Sequence, residues 1–327
     1  MLERFFMASW YGGLQWTRLL WPVMWLLRFV VNSKRRKFID SEKIKTSKPV
    51  VVVGNITVGG TGKTPLVQAL VVHLQSQGLR PGIISRGYGA TVTSFPYLLT
   101  QSDSSALVGD EPFMLFQSLN VPVVIDPKRK QALDFISTMD VDVVLSDDGM
   151  QHYQLPRDIE ICVLDGTRGV GNGCLLPVGP LREPVTRLKT VDYVLYSGKS
   201  GQTEYFDFKP VAWVNVKSGE KLALSQLSIH KDAVAIAGIG NPQKFATTLS
   251  LIGVNCPLKP FPDHYAFNEG DFKAMPTQVL MTEKDAVKIK PFAHENMWYL
   301  QIQAQLHPVF VEQFTKKLKA CLELKNG

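Results

Sequence analysis

The segment VVVVGNITVGGTGKTPL, residues 50–66, joins three local patterns without a break. Its first four residues are all valine, a β-branched apolar run typical of a parallel strand that is covered on both faces. Residues 54–62 are rich in glycine, and Lys63 and Thr64 then lead into residues 66–74, whose apolar side chains have helical spacing. The segment therefore predicts a buried strand, a glycine-rich loop and the start of a helix.

A loop of this kind suits the binding of phosphate. Its backbone N–H groups and the positive end of the following helix point at one anion, and Lys63 adds a full positive charge. The Thr64 hydroxyl is expected on a magnesium ion that bridges the phosphates. The expected phosphate-binding residues are Thr57, Gly59, Gly60, Thr61, Gly62, Lys63 and Thr64. Thr57 stands where the general pattern has glycine, so a plain turn that binds nothing is the alternative, and the strand and helix on either side favour phosphate binding.

Length and composition limit the remaining possibilities. A chain of 327 residues predicts two domains, each able to bury a core. The formal charge of +7 favours acidic partners, such as a nucleotide, a phospholipid surface or an anionic substrate. Nucleic acid is not expected as a partner, because no interleaved basic and aromatic pattern is present. The four cysteines have no CxxC or zinc spacing, which is typical of reduced thiols in a cytosolic protein.

The N-terminus differs from the rest of the chain. Residues 1–31 contain four tryptophans and long apolar runs, and residues 34–37 are all basic. The apolar stretch 19–31 is short for a membrane span and contains Pro22 and Arg28. We expect a helix in one leaflet of a membrane, with the basic run on anionic lipid and the body on the cytoplasmic side. A spanning helix and an ordinary helix packed on the protein are the alternatives.

After the glycine-rich loop, strand and helix patterns alternate. Apolar strand patterns occur at residues 81–85, 121–125, 141–145, 159–164 and 193–196. Alternation of this kind predicts an α/β fold with a doubly wound, mostly parallel sheet of the P-loop NTPase type. The polarity pattern beyond residue 200 predicts a second, smaller α/β domain. The predicted divisions are an N-terminal membrane-associated helix and basic run (1–37), a P-loop kinase domain (38–205) and the smaller domain with a closing helix (206–327).

Several polar groups follow these strands, where ligands of such sheets bind. Asp147 and Asp148 end the strand at 141–145 and are expected to hold magnesium directly or through water, unless they cap the turn at Gly149. His152 and Arg86 each allow a structural or a ligand-binding reading. The basic run 128–130 is either a surface that an anionic glycolipid reaches or a plain solvated face.

Seven sequence blocks together resemble one family. They are GNITVGGTGKTP, SRGYG, VGDEP, LSDDGMQH, LPVGPLREP, PDHYAF and MTEKDAVK, at residues 54–65, 85–89, 108–112, 145–152, 176–184, 262–267 and 281–288. Their order and approximate spacing are similar to those of the tetraacyldisaccharide 4′-kinases, also called lipid A 4′-kinases. The resemblance runs from about residue 50 to about residue 288 and includes the tryptophan-bearing N-terminus.

The resemblance implies a reaction and a location. The reaction is transfer of the γ-phosphoryl group of ATP to the 4′-hydroxyl of a tetraacylated diglucosamine 1-phosphate, with Mg²⁺ as the metal. The location is the cytoplasmic face of the inner membrane of a Gram-negative bacterium, where the inner leaflet and the acylated disaccharide are the partners. The residues alone reach only as far as membrane-associated, magnesium-dependent chemistry on a phosphate loop.

The resemblance also assigns roles to residues. It gives catalytic roles to Lys63, Arg182, Asp110 and His264, and metal-binding roles to Thr64, Asp147, Asp148 and Glu183. Asp110 is the expected base for the acceptor hydroxyl, and His264 supports it. Without the resemblance, Asp110 reads as a helix cap and His264 as a loop histidine.

One rival function belongs to a different class. A membrane-associated ATPase switch of the partitioning or targeting kind has a similar glycine-rich loop, but it usually carries a second lysine early in the loop. This chain has no lysine in the loop before Lys63. ATP consumption that requires the acylated sugar favours the kinase, whereas turnover without an acceptor favours the switch.

Overall fold

The computed structural model describes residues 2–12, 16–39, 46–198, 204–275 and 277–326. The chain forms two compact units, each made from separate parts of the sequence. The first unit comprises residues 1–86, 126–207 and 306–327, and the second comprises residues 87–125 and 208–305. The predicted division at 1–37, 38–205 and 206–327 is drawn along continuous segments and stays a prediction.

The first unit is built on a parallel sheet. Its strands are β1 (Val50–Gly54), β2 (Pro81–Ser85), β5 (Val143–Asp147), β6 (Ile159–Asp165) and β7 (Tyr193–Ser197). They lie in the order β7-β6-β1-β5-β2, and each neighbouring pair is parallel. The four valines of β1 are fully buried, as expected for a central strand that is covered on both faces. The predicted α/β class with a mostly parallel sheet is confirmed.

The helices of the first unit include the one predicted to follow the glycine-rich loop. They are α1 (Leu2–Tyr11), α2 (Trp21–Ile39), α3 (Lys63–Ser76), α6 (Arg129–Ile136) and α9 (Pro308–Asn326), with a 3-10 helix at Trp16–Leu20. The inward face of α3 buries Leu66, Leu70 and Leu74 at a spacing of four residues. The helix α6 begins within the basic run 128–130, and Arg129 in its first turn is buried.

The N-terminal helices dock on the first unit at one end and expose apolar side chains at the other. The indole N–H of Trp10 donates to the Pro177 carbonyl at 3.0 Å, and the Thr17 hydroxyl donates to the Val178 carbonyl at 2.7 Å. In α2 the side chains of Leu26 and Phe29 are 65% and 72% exposed. Within the described ranges, no helix combines the length and the apolar character that crossing a membrane requires.

The second unit contains the remaining strands. They are β3 (Tyr97–Leu98), β4 (Val123–Ile125), β8 (Tyr205–Asn215), β9 (Lys221–Leu222), β10 (Val234–Ala237), β11 (Leu258–Pro260), β12 (Val279–Thr282) and β13 (Met297–Leu306). Strands β11, β10, β12 and β13 are neighbours in that order and pair in parallel, while β3 with β4 and β8 with β9 pair antiparallel. The helices are α4 (Ser105–Val108), α5 (Asp110–Leu119), α7 (Pro242–Leu251) and α8 (Glu283–Ile289).

Candidate functional site

The phosphate loop lies between β1 and α3, as the sequence predicts. Gly62 precedes α3 with φ 90°, a left-handed conformation that glycine adopts without steric cost. A side chain placed at Gly60 would meet no atom within 4 Å, so the loop is open at that position. Lys63 is the first residue of α3. The loop thus provides room, backbone groups and a cation at a helix N-terminus, which fits the phosphates of a nucleotide.

A second segment, residues 180–182, braces this loop. The Val58 N–H donates to the Pro180 carbonyl at 2.9 Å, and the Arg182 N–H donates to the Ile56 carbonyl at 2.7 Å. Thr57 forms a backbone bridge with Leu181, and its side chain is buried. The proline-rich block at 176–184 therefore has a structural task that its composition does not reveal, namely to fix the conformation of the phosphate loop.

Side chains within the loop add a second set of contacts. The Asn55 amide donates to the Thr61 hydroxyl at 3.2 Å, and Thr61 is buried. The Gln151 amide donates to the Asn55 carbonyl at 2.8 Å. Two of the three threonines predicted to bind phosphate, Thr57 and Thr61, thus have buried side chains. Their contribution to a phosphate would come from the backbone.

Three charged side chains converge beside the loop. Lys63 Nζ lies 3.5 Å from Asp148 Oδ1, and Arg182 Nη1 lies 3.4 Å from Asp148 Oδ2. Burial acts to raise the pKa of Asp148, but the charges of Lys63 and Arg182 outweigh it, so the net direction of the pKa is downward. Asp148 is therefore a carboxylate at neutral pH, and the structure brings together three of the predicted site residues.

The donors available to a magnesium ion are of the right chemical type. Asp147 ends β5, Asp148 follows it, and Thr64 lies in the first turn of α3. Within the described part of the chain, no three His, Cys, Asp or Glu side chains cluster to form a metal site. In phosphoryl-transfer sites Mg²⁺ is held by one or two carboxylates together with substrate phosphates and water. Asp147 and Asp148 would supply the carboxylates, and Thr64 would supply a hydroxyl.

Glu183 lies in a buried network next to the loop. Its carboxylate is fully buried and accepts from the Gln151 amide at 2.9 Å, the Tyr153 hydroxyl at 2.8 Å and the Arg187 guanidinium at 3.2 Å. Arg187 in turn pairs with Glu160. The network holds Gln151, which contacts the loop at Asn55. The contacts place hydrogen-bond donors on both oxygens of Glu183, and its metal-binding role stays a prediction.

The basic run at 128–130 is not a continuous lipid-facing surface. The Arg129 side chain is only 2% exposed and donates to the carbonyls of Asp126 and Asp147. Burial is the main cause that lowers its pKa to about 10. Neither of the two alternatives for this run, a surface that a glycolipid reaches or a solvated face, holds for Arg129, because its side chain is buried against two backbone carbonyls at the ends of strands.

His152 and Arg86 differ in exposure. Burial first, and then the charges of Arg129 and Arg86, lower the pKa of His152 to about 4, so its imidazole is neutral at pH 7. Arg86 is exposed at the end of β2. Both residues lie beside the strand ends where the sequence places them. A ligand-binding role for either stays a prediction.

The second unit brings together Asp110 and His264, which are 154 residues apart in sequence. His264 Nδ1 lies 3.3 Å from Asp110 Oδ2, and the two side chains are 34% and 16% exposed. Asp110 opens α5 directly after Gly109, which has φ 92° and where an added Cβ would lie 2.5 Å from the Tyr88 carbonyl oxygen. Only glycine fits there, so the glycine of the VGDEP block is needed to place Asp110.

Lys284, which the sequence analysis did not single out, completes this cluster. Its ammonium lies 3.2 Å from each of three acceptors, Glu111 Oε1, Asp263 Oδ1 and His264 Nε2. Burial acts to lower the pKa of Lys284, but Glu111 and Asp263 raise it more. The signal available in the sequence was the MTEKDAVK block, which identified the segment but gave no role to this lysine.

Comparison with known proteins identifies the family. The sequence profile of the family described as tetraacyldisaccharide-1-P 4′-kinase, LpxK, matches residues 16–319. The tetraacyldisaccharide 4′-kinase of Hahella chejuensis is 44% identical over 321 residues, which cover 94% of this chain and 95% of that protein. The enzyme of the same name from Pseudomonas putida is 44% identical over 323 residues, 97% of each chain. The crystal structure of LpxK from Aquifex aeolicus in complex with ATP superposes with a TM-score of 0.75 at 26% identity, and the match covers 94% of this chain and 99% of that one. The chain therefore belongs to the tetraacyldisaccharide-1-P 4′-kinase family.

Proposed function

We propose that this protein transfers the γ-phosphoryl group of ATP to the 4′-hydroxyl of a tetraacyldisaccharide 1-phosphate, a step in lipid A biosynthesis. Family membership supports the acceptor and the donor. The single observation that carries the chemistry is the pair formed by Asp110 and His264 at 3.3 Å, in a chain that also has a phosphate loop. An ATPase switch needs no such pair to deprotonate an alcohol.

The reaction requires one bond to form and one to break. The 4′-oxygen of the sugar attacks the γ-phosphorus, and the bond between that phosphorus and the oxygen bridging to the β-phosphate breaks, so ADP leaves with the electron pair. The hydroxyl proton passes to the Asp110 carboxylate. Phosphoryl transfer depends mainly on alignment and neutralisation of charge, and a carboxylate near the hydroxyl removes the proton as the new bond forms.

The first unit carries the residues proposed to bind the nucleotide. The loop amides and Lys63 are proposed to hold the β- and γ-phosphates, and Arg182 is proposed to neutralise charge that develops during transfer. Thr64, Asp147 and Asp148 would hold Mg²⁺, with Glu183 supporting them through its contact with Gln151, and the ion would supply positive charge at the phosphates. Asp148 holds Lys63 and Arg182 beside the loop, at 3.5 Å and 3.4 Å.

We also propose that the N-terminal segment binds the inner leaflet of the bacterial inner membrane, with the body of the protein on the cytoplasmic side. In α2 the apolar residues Trp25, Leu26 and Phe29 are 54%, 65% and 72% exposed, while Met24 is buried. An exposed apolar helix face followed by a basic run suits the headgroup region of anionic lipid. In this proposal residues 1–37 form the membrane-associated part, 38–205 the kinase domain and 206–327 the smaller domain.

The test is phosphate transfer from γ-labelled ATP to a purified tetraacyl disaccharide 1-phosphate in detergent micelles with magnesium. We expect label in the lipid with the native chain and none with Lys63→Ala. Lys217→Ala is a matched control, because that lysine pairs with Glu295 in an exposed position. Label released only as inorganic phosphate would overturn the kinase reading and favour the switch.

A further inference from the structure

We propose that Lys284 is a positioning residue, which fixes the tautomer of His264 so that its Nδ1–H points at the Asp110 carboxylate. The inference rests on the proposed function of the Asp110 and His264 pair. Lys284 contacts Glu111, Asp263 and His264, and it acts on Asp110 through the imidazole of His264.

The contacts of Lys284 account for every hydrogen of its ammonium. The group carries three hydrogens and has no acceptor. Three acceptors lie 3.2 Å from Nζ, and one of them is Nε2 of His264. The side chain is 16% exposed, so solvent has little access to the group. Each hydrogen has one partner.

The charge on Lys284 decides which nitrogen of His264 carries the proton. Glu111 and Asp263 outweigh the effect of burial and raise the pKa of Lys284, so the ammonium stays protonated at neutral pH. A protonated ammonium only donates, and Nε2 must therefore accept with its lone pair. The hydrogen of the neutral imidazole is then on Nδ1, which lies 3.3 Å from Asp110 Oδ2.

This tautomer gives Asp110 and His264 different roles. Nδ1 already carries a hydrogen and donates it to Asp110, so the neutral imidazole has no free lone pair facing that carboxylate. Asp110 is then the group that takes the substrate proton, and His264 orients it and stabilises its charge before the reaction. In the other tautomer a nitrogen lone pair would face the carboxylate oxygen and repel it.

The same ammonium also holds the backbone that carries His264. This residue has φ 57°, a left-handed conformation that is uncommon for a residue with a side chain. Asp263 Oδ1 accepts from the His264 N–H at 3.0 Å, and Lys284 donates to that same oxygen at 3.2 Å. Since Lys284 also reaches Glu111, next to Asp110, one side chain connects the two segments that carry the pair.

The first test is nuclear magnetic resonance of protein labelled with ¹⁵N-histidine. The chain has six histidines, and His264→Gln assigns the signal of interest. We expect the native protein to show a protonated Nδ1 and an unprotonated Nε2 at His264. In Lys284→Met we expect a shift towards the Nε2–H form, and in Lys284→Arg retention of the native form, because guanidinium also donates. Lys217→Met is the control, since that lysine pairs with Glu295 in an exposed position.

The second test is kinetic. We expect Lys284→Met to lower kcat about 10- to 100-fold, less than complete loss of general base catalysis, while KM for ATP changes by less than about twofold. Lys284→Arg is expected to recover most of the lost rate. A structural salt bridge would instead change the thermal unfolding temperature without changing the tautomer.

The outcomes separate this inference from the proposed function. A native His264 with its hydrogen on Nε2 would overturn the inference, whatever the activity, and so would an unchanged tautomer in Lys284→Met. Full activity of Asp110→Ala would overturn the proposed base, whereas the native tautomer is measured without substrate. If Lys284→Met does not fold, the native tautomer and its retention in Lys284→Arg decide the question.

Discussion

The phosphate loop of the first unit and the Asp110 cluster of the second are built in different ways. The loop is one continuous segment, residues 54–64, whose function depends on backbone groups and on one lysine at a helix start. The cluster takes side chains from three segments, 110–111, 263–264 and 284, and depends on distances between atoms that are up to 173 residues apart. The loop therefore depends mainly on its backbone conformation, whereas the cluster has a specific role for each side chain.

The largest effect is expected from Lys63→Ala, which removes the cation of the backbone site. We expect kcat/KM to fall about 10³-fold or more, because charge at the transferring phosphate is the main protein contribution to this chemistry. Binding of ATP, measured by calorimetry with magnesium, is expected to weaken as well. A loss confined to kcat, with unchanged ATP affinity, would show that Lys63 acts only in the transition state.

Asp110→Ala and His264→Ala should separate the two regions. We expect each to lower kcat by about 10²- to 10³-fold, within the usual range for loss of a general base, with little change in ATP affinity. The measurement is initial rate against both substrates, together with calorimetric ATP binding. If both substitutions abolished ATP binding, the pair would belong to the nucleotide site and the contrast with the loop would fail.

The substitution Glu183→Gln tests whether the buried network around Glu183 stabilises the fold or supports binding of the metal. The carboxylate is fully buried and pairs with Arg187, and loss of one partner of a buried ion pair costs about 3 kcal/mol of unfolding free energy. We therefore expect a lower denaturant midpoint and an unchanged magnesium concentration for half-maximal rate. Asp148→Asn is the comparison, for which we expect the magnesium dependence to shift.

A clear rise in the magnesium requirement of Glu183→Gln without a loss of stability would support the metal-binding role instead. Gln151 contacts both Glu183 and the Asn55 carbonyl. Glu183→Gln is therefore also expected to loosen the phosphate loop at Asn55. Tyr153→Phe removes one of the same hydrogen bonds and leaves the carboxylate in place, so it measures the network without the charge.

The same contrast explains what the sequence predicts and what it does not. The strand, loop and helix of residues 50–66 are predictable because valine periodicity, glycine conformation and helix-start chemistry are local. The meeting of Asp110 with His264 has no local signal, and it was expected only through the family resemblance. Lys284 lies in one of the recognised blocks, yet its role depends on three acceptors whose positions only the fold reveals.

Burial is the second quantity that local patterns do not give. Arg129 lies in a basic run that looks solvated in sequence, and it is buried because it satisfies carbonyls at the ends of two strands. The composition of the proline-rich segment at 176–184 does not reveal its role, but its backbone pairs with the phosphate loop at Thr57 and Val58. In both cases the residues form hydrogen bonds with backbone groups elsewhere in the fold that would otherwise lack a partner, and this determines their role.

The smallest expected effect concerns pH, where the two units should respond in opposite directions. Burial and nearby arginines lower the pKa of His152, in the first unit, from 6.5 to about 4. The unfolded chain takes up a proton near 6.5 while the folded chain does not, so this contribution to stability is complete above pH 6.5 and is lost as the pH falls towards 4. Burial raises the pKa of Glu283, in the second unit, from 4.5 to about 7. Its contribution is complete below pH 4.5 and is lost as the pH rises towards 7.

We therefore expect His152→Gln to flatten the loss of unfolding free energy on the acid side, and Glu283→Gln to flatten the loss between pH 4.5 and 7. One proton changes the unfolding free energy by at most about 1.4 kcal/mol per pH unit, and partial exposure of both side chains reduces that amount. Denaturant unfolding at half-unit steps from pH 4.5 to pH 7.5 measures both slopes, with Lys217→Met as the control. If the unfolding free energies of the two variants had equal slopes against pH, the prediction would fail. His152 and Glu283 would then not have the opposite responses that their burial and charged neighbours require.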